Sequence, residues 1–450
     1  MKYQVYARHN FNTIPSYGRL SQSQVHAINI VSEVLPFKTN NYVVGELIDW
    51  NNYEDDPMFI LNFPQKSMLK PSQFSALTKM VESNSNKTDL AEYVNELRLT
   101  LNPHPAGQLE HNVPTFKGEA LTGIQHKYRE TMLFFPTQGQ TCHAYCTFCF
   151  RWPQFTGQSG LKFAMKQSNL VVSYLKENPS ISDILFTGGD PMVMKSSVFE
   201  KYINAILDAD LPQLRTIRIG TKSLSFWPYR YLTDPDAGQL LDVFRRITDR
   251  GIHLAFMAHF NHYRELETDA IHEAVSNIRD TGAQIRTQSP LLRHINDDPQ
   301  VWATMWQKQV NMGMIPYYMF VARDTGAQSY FGVTLEQAHF IFNEAYQQVS
   351  GVCRTVRGPS MSAGPGKVRI MGITEVQGEK VFNLEFLQGR NPDWVGKPFF
   401  AAYDPKAKWL DDLIPAFGES EFFYEKEYNK LLKVDKLPGH TLKTDNKQYA

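Results

Sequence analysis

The stretch DAGQLLDVFRRITDRGIHLAFM, residues 236–257, decides the fold because a single glycine joins a helix to a strand. Apolar residues at helical spacing lead to Gly251, where a helix end needs positive φ, and an apolar run follows at once. The same order recurs in residues 269–288 around Gly282 and in residues 298–321 around Gly313. A unit repeated in this way predicts successive βα units around a parallel sheet.

Three apolar runs upstream, at 132–137, 183–188 and 215–220, are further strand candidates. Together they predict an α/β fold, a partial (β/α)6 barrel that is an open version of the eight-unit barrel. Its chemistry is expected on loops after the strand C-termini. We predict an N-terminal helical arm over 1–125, the barrel over 126–340, and a C-terminal α+β extension with a hairpin over 341–450.

Composition and charge narrow the functional classes. The 450 residues include 46 basic and 46 acidic side chains, a balance that argues against a nucleic-acid partner. No run of about 18 uncharged apolar residues predicts a membrane span. The N-terminus lacks an apolar signal core, so we expect a cytoplasmic protein with no membrane partner.

Three of the four cysteines fall in the segment TCHAYCTFCF, after the first predicted strand. Cys142, Cys146 and Cys149 have the spacing C-x3-C-x2-C. Fe–S clusters are held by Cys thiolates, four for a closed cubane, so three would leave one iron open to a small molecule. A zinc site is the alternative, but it needs a fourth ligand, and His143 is poorly placed inside the loop.

A second motif, FTGGDP, ends the second predicted strand. Gly188 and Gly189 let the backbone approach a ligand closely, and Asp190 offers an acceptor for an ammonium group. Alone, this motif is weak, and an ordinary βα turn is the better interpretation.

The cysteine spacing followed by this motif resembles the radical S-adenosylmethionine (SAM) superfamily. Other segments follow in the order expected for the lysine 2,3-aminomutase family, over residues 45 to 375: NPHPAG (102–107), HKY (126–128), CFR (149–151), RIGT (218–221), HFNH (259–262), TQSPLLRHIND (287–297), PYYMF (316–320) and GPGK (364–367). The resemblance implies a radical SAM barrel with a 4Fe–4S cluster, SAM and pyridoxal 5′-phosphate (PLP). It implies an isomerase that moves an amino group of a small-molecule amino acid from C2 to C3.

The resemblance also implies roles for single residues. Lys367 is the catalytic lysine that attaches PLP, and Arg151 binds the substrate α-carboxylate. Gly188, Gly189 and Asp190 bind SAM. The expected PLP neighbours are Lys127, Tyr128 and Gln288. Lys127 occupies the position of a family arginine, and Thr131 occupies that of a second arginine on the side of the PLP phosphate.

The substrate end departs from the lysine enzymes. Two aspartates hold the ε-ammonium there, whereas this chain has Arg323 and Ser360 at the matching positions. The pattern resembles glutamate 2,3-aminomutase, so we expect glutamate or another acidic amino acid as substrate.

Several alternatives stay open. They are a lysine 2,3-aminomutase acting on free or protein-bound lysine, a radical SAM enzyme without PLP, and a non-catalytic cluster protein. An electron donor such as flavodoxin or ferredoxin is an expected partner, and a homo-oligomer is left open.

Overall fold

The computed structural model describes residues 1–83, 86–103, 112–156 and 163–435. Residues 104–107 of the NPHPAG segment lie outside the described residues. In the described ranges, no helix is long and apolar enough to cross a membrane.

A large sheet forms the framework of the molecule. Among the described residues it has eleven strands, which neighbour one another in chain order from β5 to β15. The strands of the protein are β1 (Val5–Ala7), β2 (Lys38–Asn40), β3 (Thr115–Phe116), β4 (Glu119–Ala120), β5 (Ile124–Tyr128), β6 (Thr131–Phe134), β7 (Asp183–Phe186), β8 (Thr216–Thr221), β9 (His253–His259), β10 (Gln284–Leu291), β11 (Ile315–Val321), β12 (Arg357–Ser362), β13 (Gly366–Val376), β14 (Glu379–Gly389) and β15 (Pro398–Ala402).

The six predicted strands are β6 to β11, and each pairs in parallel with the next. Met132 lies opposite Ile184, which lies opposite Ile217 on the following strand. All three side chains are fully buried, because parallel sheets are covered on both faces. Strands β5 and β15 form the two ends of the sheet order, so the barrel is partial, as predicted.

Helices alternate with the central strands. The α-helices are α1 (Gln22–Val31), α2 (Pro57–Asn62), α3 (Pro71–Glu82), α4 (Lys87–Thr100), α5 (Ser168–Glu177), α6 (Ser196–Leu207), α7 (Ser223–Phe226), α8 (Ala237–Asp249), α9 (Asp269–Arg279), α10 (Pro299–Asn311), α11 (Gln328–Phe331), α12 (Leu335–Gln347) and α13 (Glu425–Asp435). Helices α8, α9 and α10 end just before the three glycines predicted from the sequence. Gly251, Gly282 and Gly313 have φ of +74°, +83° and +73°, which confirms the helix–glycine–strand pattern.

The N-terminal segments form a separate apolar core with part of the barrel. Helix α1 buries Ile28 and Val31, and α2 buries Phe59. This core also contains Trp152 and Trp227 from barrel loops. The arm therefore packs against the end of the barrel where loops follow the strands.

The C-terminal segment continues the barrel sheet. Strand β12 pairs in parallel with β11, whereas β13, β14 and β15 pair antiparallel, so the sheet runs on across the predicted boundary at residue 340. The predicted hairpin is β13–β14, and its turn residues Gln377 and Gly378 have φ of +53° and +81°. Mirror-image turns of this kind match the right-handed twist of paired strands.

Candidate active site

A cavity of about 330 Å³ opens at the carboxyl ends of the parallel strands. Residues from the ends of β7 to β12, the loop after β6 and the start of β13 line it. Of the residues singled out in the sequence, those that line the cavity are Cys142, Cys146, Cys149, Arg151, Gly188, Gly189, Asp190, Gln288, Arg323 and Lys367. Lys127, Tyr128 and Ser360 are not among its lining residues.

The three clustered cysteines lie on the cluster loop, which we define as residues 141–149. All three are free thiols that face the cavity, whereas Cys353 is buried elsewhere. Burial raises the pKa of each of the three thiols, that of Cys149 to about 11. Such thiols need a positively charged centre to become thiolates, which a bound metal supplies.

The donor set fits a 4Fe–4S cluster. Within the described ranges, no group of three or more His, Cys, Asp or Glu side chains could hold one metal ion. The three thiols nevertheless line a common cavity. Three cysteine thiols that share one space are the ligand type of an Fe–S cluster, so the residues present fit the cluster predicted from the sequence.

The two glycines of FTGGDP pack directly on the loop that precedes the first cysteine. A Cβ atom on Gly189 would lie 2.4 Å from the carbonyl oxygen of Thr141. A Cβ atom on Gly188, where φ is +140°, would lie 2.4 Å from the amide nitrogen of Gln140. Backbone packing therefore requires glycine at 189, whereas the positive φ favours glycine at 188, and both residues also line the cavity where SAM is expected.

Asp190 links this segment to the end of β8. Its carboxylate accepts hydrogen bonds from the backbone N–H of Met192 and of Lys222, each at 2.9 Å, and from the Thr221 hydroxyl at 2.7 Å. Burial raises the pKa of Asp190 to about 6, and these hydrogen bonds oppose that effect. All three of these hydrogen-bond donors belong to this chain. The contact between Asp190 and the ammonium of SAM therefore stays a prediction.

Lys367 stands at the start of β13, beside Ser362 of β12. Its ammonium nitrogen lies 3.8 Å from the centroid of the Tyr318 ring. Burial lowers the pKa of Lys367 to about 7, and the positive charges of Arg218 and Arg357 act in the same direction. A neutral amine is the nucleophile that imine formation with a carbonyl requires, and near pH 7 a substantial fraction of this lysine is neutral, so it fits the attachment of PLP.

Two arginines lie around Phe150 in the cavity. The guanidinium carbon of Arg151 lies 4.4 Å from the Phe135 ring centroid and 5.2 Å from that of Phe150. The guanidinium carbon of Arg323 is also 5.2 Å from Phe150. Burial lowers the pKa of Arg151 to about 10. Burial also lowers the pKa of Arg323, and the negative charge of Asp324 opposes that effect.

Two predicted binding residues donate hydrogen bonds to backbone carbonyls and do not line the cavity. Ser360 was expected to face the far end of the substrate, but it is fully buried and its hydroxyl donates to the carbonyl of Met319 at 3.3 Å. The sheet covers this side chain, and its role at the substrate end stays a prediction. Lys127 donates to the carbonyl of Ala363 at 2.5 Å, so it holds the segment that leads to Lys367 instead of lining the cavity.

Three polar side chains of the cavity were not predicted as site residues. Arg218 pairs with Asp183 at 2.8 Å, and Lys222 pairs with the buried Glu265 at 2.5 Å. His259 receives a 2.7 Å contact from the Gln288 amide, and burial together with Lys222 lowers its pKa to about 3. The signal for Arg218 was the alternation of side chains along β8, which places it on the face of the sheet that lines the cavity, and Lys222 continues this alternation one residue after the strand.

The chain resembles curated proteins along most of its length. A protein of Aquifex aeolicus named "Putative L-lysine 2,3-aminomutase" is 30% identical over 389 residues, which cover 86% of this chain and 90% of that protein. The L-lysine 2,3-aminomutases of Bacillus subtilis and Clostridium subterminale are 28% and 26% identical. Those two matches cover 44% and 59% of this chain, and 39% and 60% of the respective relatives. No protein-family model matches.

Similarity to solved structures is remote. Streptococcus suis SuiB has a TM-score of 0.35 and 9% identity, over 64% of this chain and 60% of that one. The radical SAM methyltransferase TsrM from Kitasatospora setae has a TM-score of 0.29 and 13% identity, over 43% and 37%. On the strength of the extended match to the Aquifex aeolicus protein, the chain belongs to the lysine 2,3-aminomutase family of radical SAM isomerases, whose cofactors are a 4Fe–4S cluster, SAM and PLP.

Proposed function

We propose that this protein is a PLP-dependent 2,3-aminomutase that moves the amino group of a free amino acid from C2 to C3. One observation carries the proposal: the three cysteines, Arg151 and Lys367 line the same cavity. They are the residues that a radical source, a substrate carboxylate and PLP would each require. When bound, the cluster, SAM and PLP supply the radical and stabilise the migrating nitrogen.

The residues of the chain position these groups. The three cysteines, which line the cavity, would hold the cluster. Lys367 presents an amine of lowered pKa to the PLP carbonyl, and Arg151 pairs with the substrate α-carboxylate, which fixes the orientation of C2 and C3. Aromatic side chains that line the cavity, including Phe148, Phe150 and Phe331, exclude water from the reaction.

L-lysine is the first candidate substrate. The matched relatives carry the name of the lysine enzyme, which supports the lysine alternative better than an acidic substrate. The proposal that this chain also acts on L-lysine rests on relatives about 30% identical or less.

An acidic amino acid is the second candidate, favoured by the charge of the cavity. Among the described residues that line it, Asp190 is the one carboxylate, and its oxygens already accept hydrogen bonds from this chain. Arg323 would repel an ammonium and attract a carboxylate. A buried charge left without its partner costs several kcal/mol. A substrate whose side chain does not match the charge of Arg323 would therefore be strongly disfavoured.

The test is an anaerobic assay of free amino acids with reconstituted protein, SAM, PLP and a reductant. The expected result is a β-amino product from lysine or glutamate that disappears in Lys367→Ala. Arg323→Gln should raise turnover of lysine relative to glutamate, whereas Arg286→Gln, outside the cavity lining, should leave the ratio unchanged. Cleavage of SAM without a β-amino product from any tested amino acid would overturn the proposal.

A further inference from the structure

The N-terminal arm holds the cluster loop through several hydrogen bonds. The backbone N–H of Tyr145 donates to the carbonyl of Lys38 on β2 at 2.7 Å. The carbonyl of His143 accepts from the Tyr3 hydroxyl at 2.7 Å and from the Asn40 amide at 3.2 Å. These side-chain contacts join residues 140 and 103 positions apart in the chain, so the arm is a structural part of the cluster site.

Lys38 differs from the other anchors because its side chain is charged. Its ammonium donates to the carbonyl of Cys142 at 2.7 Å and to the Thr141 hydroxyl at 3.2 Å. It also lies 5.5 Å from the centroid of the Tyr145 ring. The arm thereby places a positive charge directly against the backbone of the first cysteine of the motif.

We propose that Lys38 is a positioning residue that holds the cluster loop and raises the reduction potential of the cluster bound there. A reduced cluster carries one more negative charge than the oxidised cluster, so a nearby cation stabilises the reduced form. At an effective dielectric constant of ~20, unit charges ~10 Å apart change an equilibrium by about tenfold or more. The inference rests on the proposed function in one respect, that the three cysteines bind the cluster.

The experiment is an anaerobic redox titration of the full-length protein, followed by the EPR signal of the reduced cluster. Lys38→Met and Lys38→Gln remove the charge, and Lys38→Arg keeps it. Tyr3→Phe removes a neutral anchor of the same loop, and Lys66→Met removes a charge from the arm at a site away from the loop. Iron content is measured for every variant.

We expect the neutral Lys38 variants to have about a tenfold lower ratio of reduced to oxidised cluster at a fixed potential, a midpoint about 59 mV lower for one electron. Lys38→Arg, Tyr3→Phe and Lys66→Met should match the wild type. Loss of iron in both neutral variants, with retention in Lys38→Arg and Tyr3→Phe, also supports a role of the charge.

An unchanged midpoint in the neutral variants would overturn the inference, as would an equal shift in Tyr3→Phe or a loss of iron in Lys38→Arg. These outcomes differ from a failure of the proposed function, in which the wild-type protein itself binds no cluster.

Discussion

The attachment of PLP should depend on pH in a way that the surroundings of Lys367 dictate. Burial and two neighbouring arginines lower the pKa of this lysine from 10.5 to about 7. At pH 7 about half of such amines are neutral, whereas for an ordinary lysine the fraction is roughly one in 3,000. Because the neutral amine is the nucleophile, PLP attachment should speed up as pH rises through about 7 and then level off.

The assay is stopped-flow absorbance of PLP mixed with PLP-free protein, from pH 5 to pH 10. A small lysine derivative measured in parallel corrects for the titration of PLP itself. Lys367→Ala should lose the visible band of lysine-bound PLP, and Lys380→Ala, an exposed lysine of the same hairpin, should keep it. Arg357→Gln should move the midpoint to higher pH, since removal of a positive charge lets the ammonium persist.

The reasoning is refuted if the rate keeps rising to pH 10, as for a solvated lysine. It is equally refuted if Lys367→Ala retains the band, because another lysine would then attach PLP.

Three further predictions concern the cluster and the fold. Reconstitution should give about four iron atoms per chain, and alanine at any of the three motif cysteines should abolish iron binding, whereas Cys353→Ala should retain it; equal losses in all four would contradict the ligand assignment. Arg264→Ala leaves the buried carboxylate of Asp56 without its ion pair and should lower the free energy of unfolding by about 3 kcal/mol in a denaturant titration. Gly251→Ala should cost roughly 1 kcal/mol in the same assay, because φ is +74° and nothing lies within 4 Å of the added methyl; Gly238→Ala, in helix α8, should not destabilise.

The helix–glycine–strand units of the barrel could be predicted from the sequence because they depend on residues close together in the chain. Helical spacing, a glycine at positive φ and an apolar strand are each confined to about twenty residues, and the structure confirms all three repeats. The cysteine motif could be recognised in the sequence for the same reason, since its three cysteines lie within one loop.

Other features depend on contacts between distant segments. Ser360 and Lys127 were aligned with binding positions, yet the sheet covers the first and a carbonyl of the C-terminal segment engages the second. Spacing along the chain carries no information about such contacts. The role of the N-terminal arm at the cluster loop was missed as well, because Lys38 lies in an unremarkable segment.

By itself, the sequence determined that this is a parallel α/β barrel of partial extent with a three-cysteine motif after its first strand. Hydrophobic periodicity, glycine position and cysteine spacing are local properties, so they are visible in the sequence alone. Only the tertiary structure decided which charges share the cavity with Lys367 and which side chains are covered. The physical reason is that burial and electrostatic coupling arise when strands remote in sequence meet, and these effects set the protonation and orientation of the site.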